Sequence, residues 1–235
     1  MTTEGLLALL QLADGLFPAG GFAHSFGLET YVQTGVVRDR AGLEALLRAQ
    51  LIGSAGPTDA VAAACASRFA GQGDLAGWLD LDARLDAARW VPEFRLASLQ
   101  MGRQTLRVAL ATRTAPFLSA LARAIDCPSP PDEDGAAGHH ATVFGSVLGC
   151  REVGAEMAAA AYLHSAAVLV VNAALRLLPL GQVDGQVVLV SVQPLIGRLA
   201  ARAARSSVDD LWSFTPGLEI AGLRHADLDG RLFRS

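Results

Sequence analysis

Apolar residues recur along this chain at helical spacing. Leu43, Leu46, Leu47 and Leu51 form one stripe. Trp78, Leu81 and Leu85 form a second, Leu96, Leu99, Leu106 and Leu110 a third, and Val192, Leu195, Ile196 and Leu199 a fourth. The i, i+3, i+4, i+7 pattern puts these side chains on one face of a 3.6-residue helix. A leucine-rich run, Leu6–Leu12, adds another helix at the start. Start signals agree: Asp39 precedes the first stripe, Pro57 stands early in a helix predicted at about 57–70, and Pro92 opens the next. Val187–Val192 has strand character but runs without a break into the Leu195–Leu199 stripe. With no βαβ alternation and no hairpin pair, the pattern predicts an all-α fold: one helical bundle of roughly ten helices, with residues 1–235 as a single domain. Residues 128–138, PSPPDEDGAAG, read as an exposed loop. Met157–Leu175 carries no formal charge and is long enough to cross a bilayer. It contains His164, Ser165 and Asn172, which are costly in lipid, so it is expected to be a fully buried helix, with no membrane association.

Composition narrows the chemistry. The chain has 235 residues, 51% hydrophobic, with a net charge of −4, a poor match to nucleic-acid binding. Every one of its 19 basic residues is arginine. Without lysine there is no Schiff-base nucleophile and no phosphate-binding loop of the G-x-x-x-x-G-K-[ST] kind. Cys65, Cys127 and Cys150 are too scattered for a zinc knuckle or redox pair. The start of the chain lacks a secretory signature, and these features predict the cytoplasm.

The densest chemistry lies in LADGLFPAGGFAHSFGLETY, residues 12–31. Pro18 fixes φ, and Gly20 and Gly21 allow positive φ, so the chain can turn sharply. A second helical segment is expected to start here, carrying His24, Ser25, Glu29 and Tyr31. Ala23-His24-Ser25-Phe26-Gly27 looks like a degenerate nucleophile elbow, but the strand that an elbow needs before its serine is missing. His139 and His140 are neighbours, 100° apart on a helix, and suit capping better than chelation. His164 reads as a hydrogen-bonded core histidine. Arg95, Ser98 and Gly102 share one helix face, either a packing stripe or an interface. Leu178–Gln186 is a tight turn whose Gln182, Asp184 and Gln186 suit a docking surface. The last residues, Arg231, Leu232, Phe233, Arg234 and Ser235, mix guanidinium and apolar groups as an interface hot spot does. They read as a tail waiting for a partner.

Several of these blocks resemble one family. LADGLFPAGGFAHSFGLETYV, FRLASLQMGRQ, HHATVFG, ALRLLPLGQVDGQ and LEIAGLRHADLDGRLFRS stand in the order found in the UreF urease accessory proteins. The resemblance implies an all-helical, homodimeric, non-enzymatic scaffold. Such a scaffold bridges UreD (UreH in some organisms) and the GTPase UreG, and acts in GTP-dependent nickel insertion into apo-urease. It would hold no cofactor itself, because nickel and GTP are handled by the partners. The family's N-terminal motif maps onto Pro18, Gly20, Gly21, Phe22, His24, Ser25, Gly27, Glu29 and Tyr31, with Glu29 and Tyr31 expected to face a partner. The partner-binding tail spans 226–235, and its contacts map onto Arg224, His225, Arg231, Leu232, Phe233 and Arg234. The family usually has serine at Ala23 and a tyrosine-containing run at Ala226–Gly230. Two other readings stay open on the residues alone: a serine hydrolase using Ser25, and direct nickel binding by His24 or His225.

Overall fold

A computed structural model describes residues 1–126 and 136–235. Among the described residues there are eleven α-helices and no strand. They are α1 (Thr3–Ala13), α2 (Leu28–Gln33), α3 (Arg40–Gln50), α4 (Val61–Gln72), α5 (Leu75–Ala88), α6 (Pro92–Thr112), α7 (Pro116–Asp126), α8 (His140–Gly149), α9 (Ala155–Leu177), α10 (Gln182–Ala203) and α11 (Pro216–His225). The start signals work as expected. Asp39 accepts the Gly42 N–H at 2.8 Å and Asp74 the Gly77 N–H at 2.9 Å, each satisfying a donor that the first helical turn leaves free. Pro92 and Pro216 open α6 and α11.

All ten residues of α8 are buried, with α4, α6 and α9 packed around it. Glycine makes that crowding possible. A Cβ on Gly145 would lie 2.2 Å from the Ala63 carbonyl oxygen, and one on Gly149 2.3 Å from that of Ser67. The N-terminus of α8 is capped by another helix. Asp82 of α5, fully buried, accepts the Gly138 and His139 N–H groups at 2.8 and 3.0 Å and the Thr142 hydroxyl at 2.7 Å. A carboxylate there also opposes the positive end of the helix dipole.

The structure departs from the expectations in several places. The helix predicted at about 57–70 does not start near Pro57. The chain is helical from Arg40 to Gln72, and its middle, Leu51–Ala60, is a π-helix with Pro57 inside. Proline cannot donate to an ordinary ladder, so the helix widens there instead of ending. The exposed loop at 128–138 lies mostly outside the described residues. Its far end turns inward: Ala136 is half-buried and Gly138 is buried on Asp82. Helix α9 has the length and hydropathy of a membrane span, but it packs in the bundle with 56% of its apolar window buried. The expected full burial fails at Met157, 42% exposed, and at the exposed Asn172. His164 is only half-buried. Arg95, Ser98 and Gly102 all serve packing. Arg95 holds Asp86 at 2.6 Å, Ser98 lies 3.0 Å from the His139 ring, and a Cβ on Gly102 would meet the Gly138 oxygen at 2.0 Å.

Candidate functional site

The two segments singled out in the sequence meet. Between α1 and α2 the chain turns at Gly20, φ +88°, passes through a short 3-10 turn at Gly21–Ala23, and turns again at Phe26 and Gly27, φ +51° and +86°. Left-handed backbone is easy for glycine and uncommon for phenylalanine. His24 and Ser25 therefore lie in an extended link rather than on the expected helix, which starts only at Leu28. Gly21 lets the link approach α9, since a Cβ there would be 2.8 Å from the Leu169 side chain.

The tail lies on this link. Arg234 donates its N–H to the Ala23 carbonyl at 2.8 Å. The Ser235 carbonyl accepts the Phe26 N–H at 3.0 Å and the Ser25 hydroxyl at 2.8 Å. The Ser235 hydroxyl lies 2.8 Å from His24 Nδ1. The tail is extended, so alternate side chains face opposite ways. Leu232 and Arg234 point out, while Phe233 and Ser235 are buried. Arg176, in the last turn of α9, sits over the rings of both Phe22 and Phe233, 4.4 Å from each centroid.

Glu29 organises the tail. Its side chain is buried in the first turn of α2. One carboxylate oxygen accepts the Leu232 N–H at 2.7 Å. The other accepts the Phe233 N–H at 3.1 Å and lies 2.9 Å from His225 Nε2. The opposite ring nitrogen of His225 is 2.7 Å from Glu93 Oε2, and Arg231 reaches Glu93 Oε1 at 3.1 Å. Carboxylate oxygens accept, so an N–H on either ring nitrogen of His225 finds an acceptor. Burial pushes the Glu29 carboxyl up, but the Leu232 N–H, His225 and the Phe233 N–H outweigh it, and the net direction is down. A buried carboxylate is tolerable only with such a full set of donors.

Two sequence expectations are corrected here. The tail does not wait as a free arm but is docked within its own chain. Glu29 faces the tail, not a partner, because backbone donors 203 and 204 residues away complete its shell. Tyr31 is half-buried, its hydroxyl 2.7 Å from where a Cβ on Gly217 would stand. Of the residues nominated, Pro18, Gly20, Phe22, Arg224, Arg231, Leu232 and Arg234 remain outward, and Gly21, His24, Ser25, Glu29, His225 and Phe233 face inward. Gln182 and Gln186 are exposed, but Asp184 is occupied by the Gly181 N–H and by Arg40, each at 3.1 Å. Among the described residues, no hydrogen bond links this turn to the seam between tail and link.

The chemical alternatives find no assembled centre here. The Ser25 hydroxyl is spent on Ser235 and on the Glu29 N–H at 3.3 Å, and His24 binds Ser235 rather than Ser25. Burial and Arg234 lower His24 to about 4, a poor general base near neutrality. Both nitrogens of His225 are taken by carboxylates. Sequence reasoning did not assign Glu93 or Arg176 to the site, and it placed Ser235 in a partner-facing tail, whereas Ser235 is buried on the link.

A family model described as UreF matches residues 37–193. The chain belongs to the UreF family. Proteins named urease accessory protein UreF resemble it over nearly their whole length. That of Bacillus sp. (strain TB-90) is 34% identical over 98% of this chain and 99% of its own. That of Nostoc sp. is 32% identical over 100% and 98%, and that of Rhodopseudomonas palustris 36% over 98% and 93%. The family model ends short of both halves of the seam, whereas these alignments span nearly the whole chain. Ala23 hydrogen-bonds the tail through its backbone carbonyl, which any residue supplies.

Proposed function

We propose that this chain acts in urease maturation as a non-catalytic scaffold. In this reading it bridges UreD (or UreH) and the GTPase UreG, and gates GTP-dependent nickel insertion into apo-urease, as a cytoplasmic homodimer. Nickel and GTP are cargo and fuel of the partners. Support comes from UreF membership, because the relatives are named as urease accessory proteins. The single observation that carries the docking role is the seam. It fixes an extended tail so that Leu232, 52% exposed, Phe22, 72% exposed, and two arginines face outward together. Apolar and guanidinium groups on a rigid support are what binding hot spots consist of, since little ordering entropy remains to be lost.

The test separates outward contacts from the support beneath them. Leu232→Asp and Arg234→Glu change only side chains that point away from the core. Each is expected to leave helical content unchanged, to weaken capture of the UreD-type partner at least about tenfold, and to lower urease activation in co-expressing cells. Normal capture by the double variant would remove the tail from the interface.

A further inference from the structure

A second site lies on the other side of Phe26. A pocket with a cavity of about 100 Å³, open to solvent beside the exposed Trp90, is lined by the π-helix, the α5–α6 junction, α9 and α11. Phe26, Trp90 and Phe94 wall it, and its polar groups include Asp59, Arg89, His140, Tyr162 and Glu219. Convergent polar groups within a mostly apolar wall are the usual make-up of a small-molecule pocket.

Three observations define what would fit. First, Ser54, Thr58 and Asp59 reach the cavity from the π-helix, and such widened turns collect at functional positions. Second, the ion pair at the centre of the lining carries no net charge, and Glu219 of α11 adds one further carboxylate. Arg89 is ion-paired with Asp59. The Tyr162 phenol is pushed well above its ordinary value by burial, and burial and Arg89 hold His140 at about 3, so both rings are neutral near pH 7. Third, the pair is not fully satisfied: Arg89 Nε is buried without a hydrogen-bond partner among the described residues. An anion entering here would meet the Asp59 and Glu219 carboxylates, and a cation beside Asp59 would meet the Arg89 guanidinium paired with it. An uncharged molecule with a carbonyl acceptor and N–H donors complements both, and a flat one suits the aromatic walls.

We propose that this cavity binds a small, uncharged amide- or urea-type molecule, its carbonyl oxygen accepting from Arg89 Nε and its N–H groups donating toward Asp59 and His140. The site is independent of the docking seam, although Phe26 borders both: its N–H holds Ser235 and its ring lies 6.0 Å from that of Phe94.

The test uses the full chain and three isosteric probes, acetamide, acetate and acetamidinium, which differ only in charge. Binding is followed by saturation-transfer NMR and by the fluorescence of Trp90. Acetamide is expected to bind saturably, in the millimolar range that four heavy atoms commonly give, and the two ions at least about tenfold more weakly. Arg89→Lys keeps the charge opposite Asp59 but removes the second donor, and is expected to weaken acetamide about tenfold. Ala166→Leu fills the cavity from α9 and is expected to abolish binding; it serves also if Arg89→Lys fails to fold. Equal binding of either ion, no saturable acetamide binding to the folded parent, or acetamide binding that survives Ala166→Leu would overturn the proposal. None of these readouts involves a partner protein, so they stand or fall apart from the scaffold reading.

Discussion

At the α4–α8 contact, Gly145 and Gly149 bring backbone against backbone, and a methyl group on either would lie inside a carbonyl oxygen of α4. At the seam the close approach is between polar groups: one buried carboxylate, two backbone N–H groups, a histidine and a second carboxylate. The first contact is apolar, has no alternative partner and no cheap way to open. The second consists of groups that water would satisfy equally well, so its net worth is small relative to its gross strength. The difference explains how one chain carries both a fixed scaffold and a docking segment. Opening the hub would require global unfolding, whereas local opening of the seam would leave the hub intact.

The sharpest way to break this comparison is at the hub. Gly145→Val inserts side-chain atoms where a Cβ alone would stand 2.2 Å from Ala63 O. It is expected to cost about 4 kcal/mol of global stability or to prevent folding, read by urea unfolding. A loss below about 1 kcal/mol would mean that α4 and α8 can slide apart, and the hub would not be fixed.

At the seam, Glu29→Ala leaves His225 and two backbone N–H groups without their acceptor. Docking of the tail is expected to weaken by about 3 kcal/mol. The amides of Leu232 and Phe233 should then exchange about 100-fold faster, while the global unfolding midpoint in urea hardly moves. A global loss as large as the local one would join the seam to the hub as one cooperative unit.

Acid should separate the regions by degrees. His140, at the start of α8, is held at about 3 against an ordinary 6.5. The unfolded chain therefore binds a proton between those values that the folded chain does not. Stability falls as pH falls, by about 1.4 kcal/mol per unit over that window. His24 in the seam is lowered only to about 4, so its contribution to docking is exhausted there. The stabilisation that Glu29 provides is present at neutral pH and is lost only below the ordinary carboxylate range. Urea titrations from pH 7 to pH 4 should show the slope, and His140→Phe should flatten it. An unchanged slope in that variant would assign the acid sensitivity elsewhere.

The smallest effect tests the outer surface. Asp184 and Arg40 form an exposed pair, and Asp184→Ala is expected to cost only about 0.5 kcal/mol. If the same variant weakened partner capture strongly, the Gln182–Gln186 turn would belong to the docking surface after all.

Much of the fold was legible because helical periodicity is local. The stripes at 43–51, 78–85 and 192–199 each lie within an observed helix or its π-helical extension, and Asp39 and Pro92 stand at helix starts as expected. The π-helix was not legible. Pro57 gives the same local signal at the start of a helix as in a widened turn, and only the neighbours of the longer helix decide between them. The site was half legible. The Pro-Gly link and the Arg-Phe tail stood out by composition, but their mutual contact did not, and neither did Glu93 or Arg176.

What the sequence alone determined is the all-α class, the main helical stripes, the starts at Asp39 and Pro92 and the family resemblance, all carried by side chains at short, regular spacing. The tertiary structure decided that Glu29 faces inward, that Asp82 caps a helix other than its own, and that the tail lies on the link rather than free. These contacts join residues 56 to 211 positions apart, and several of their donors are backbone N–H groups. Nearly every residue has such a group, so no pattern of side chains announces which one a distant carboxylate will find.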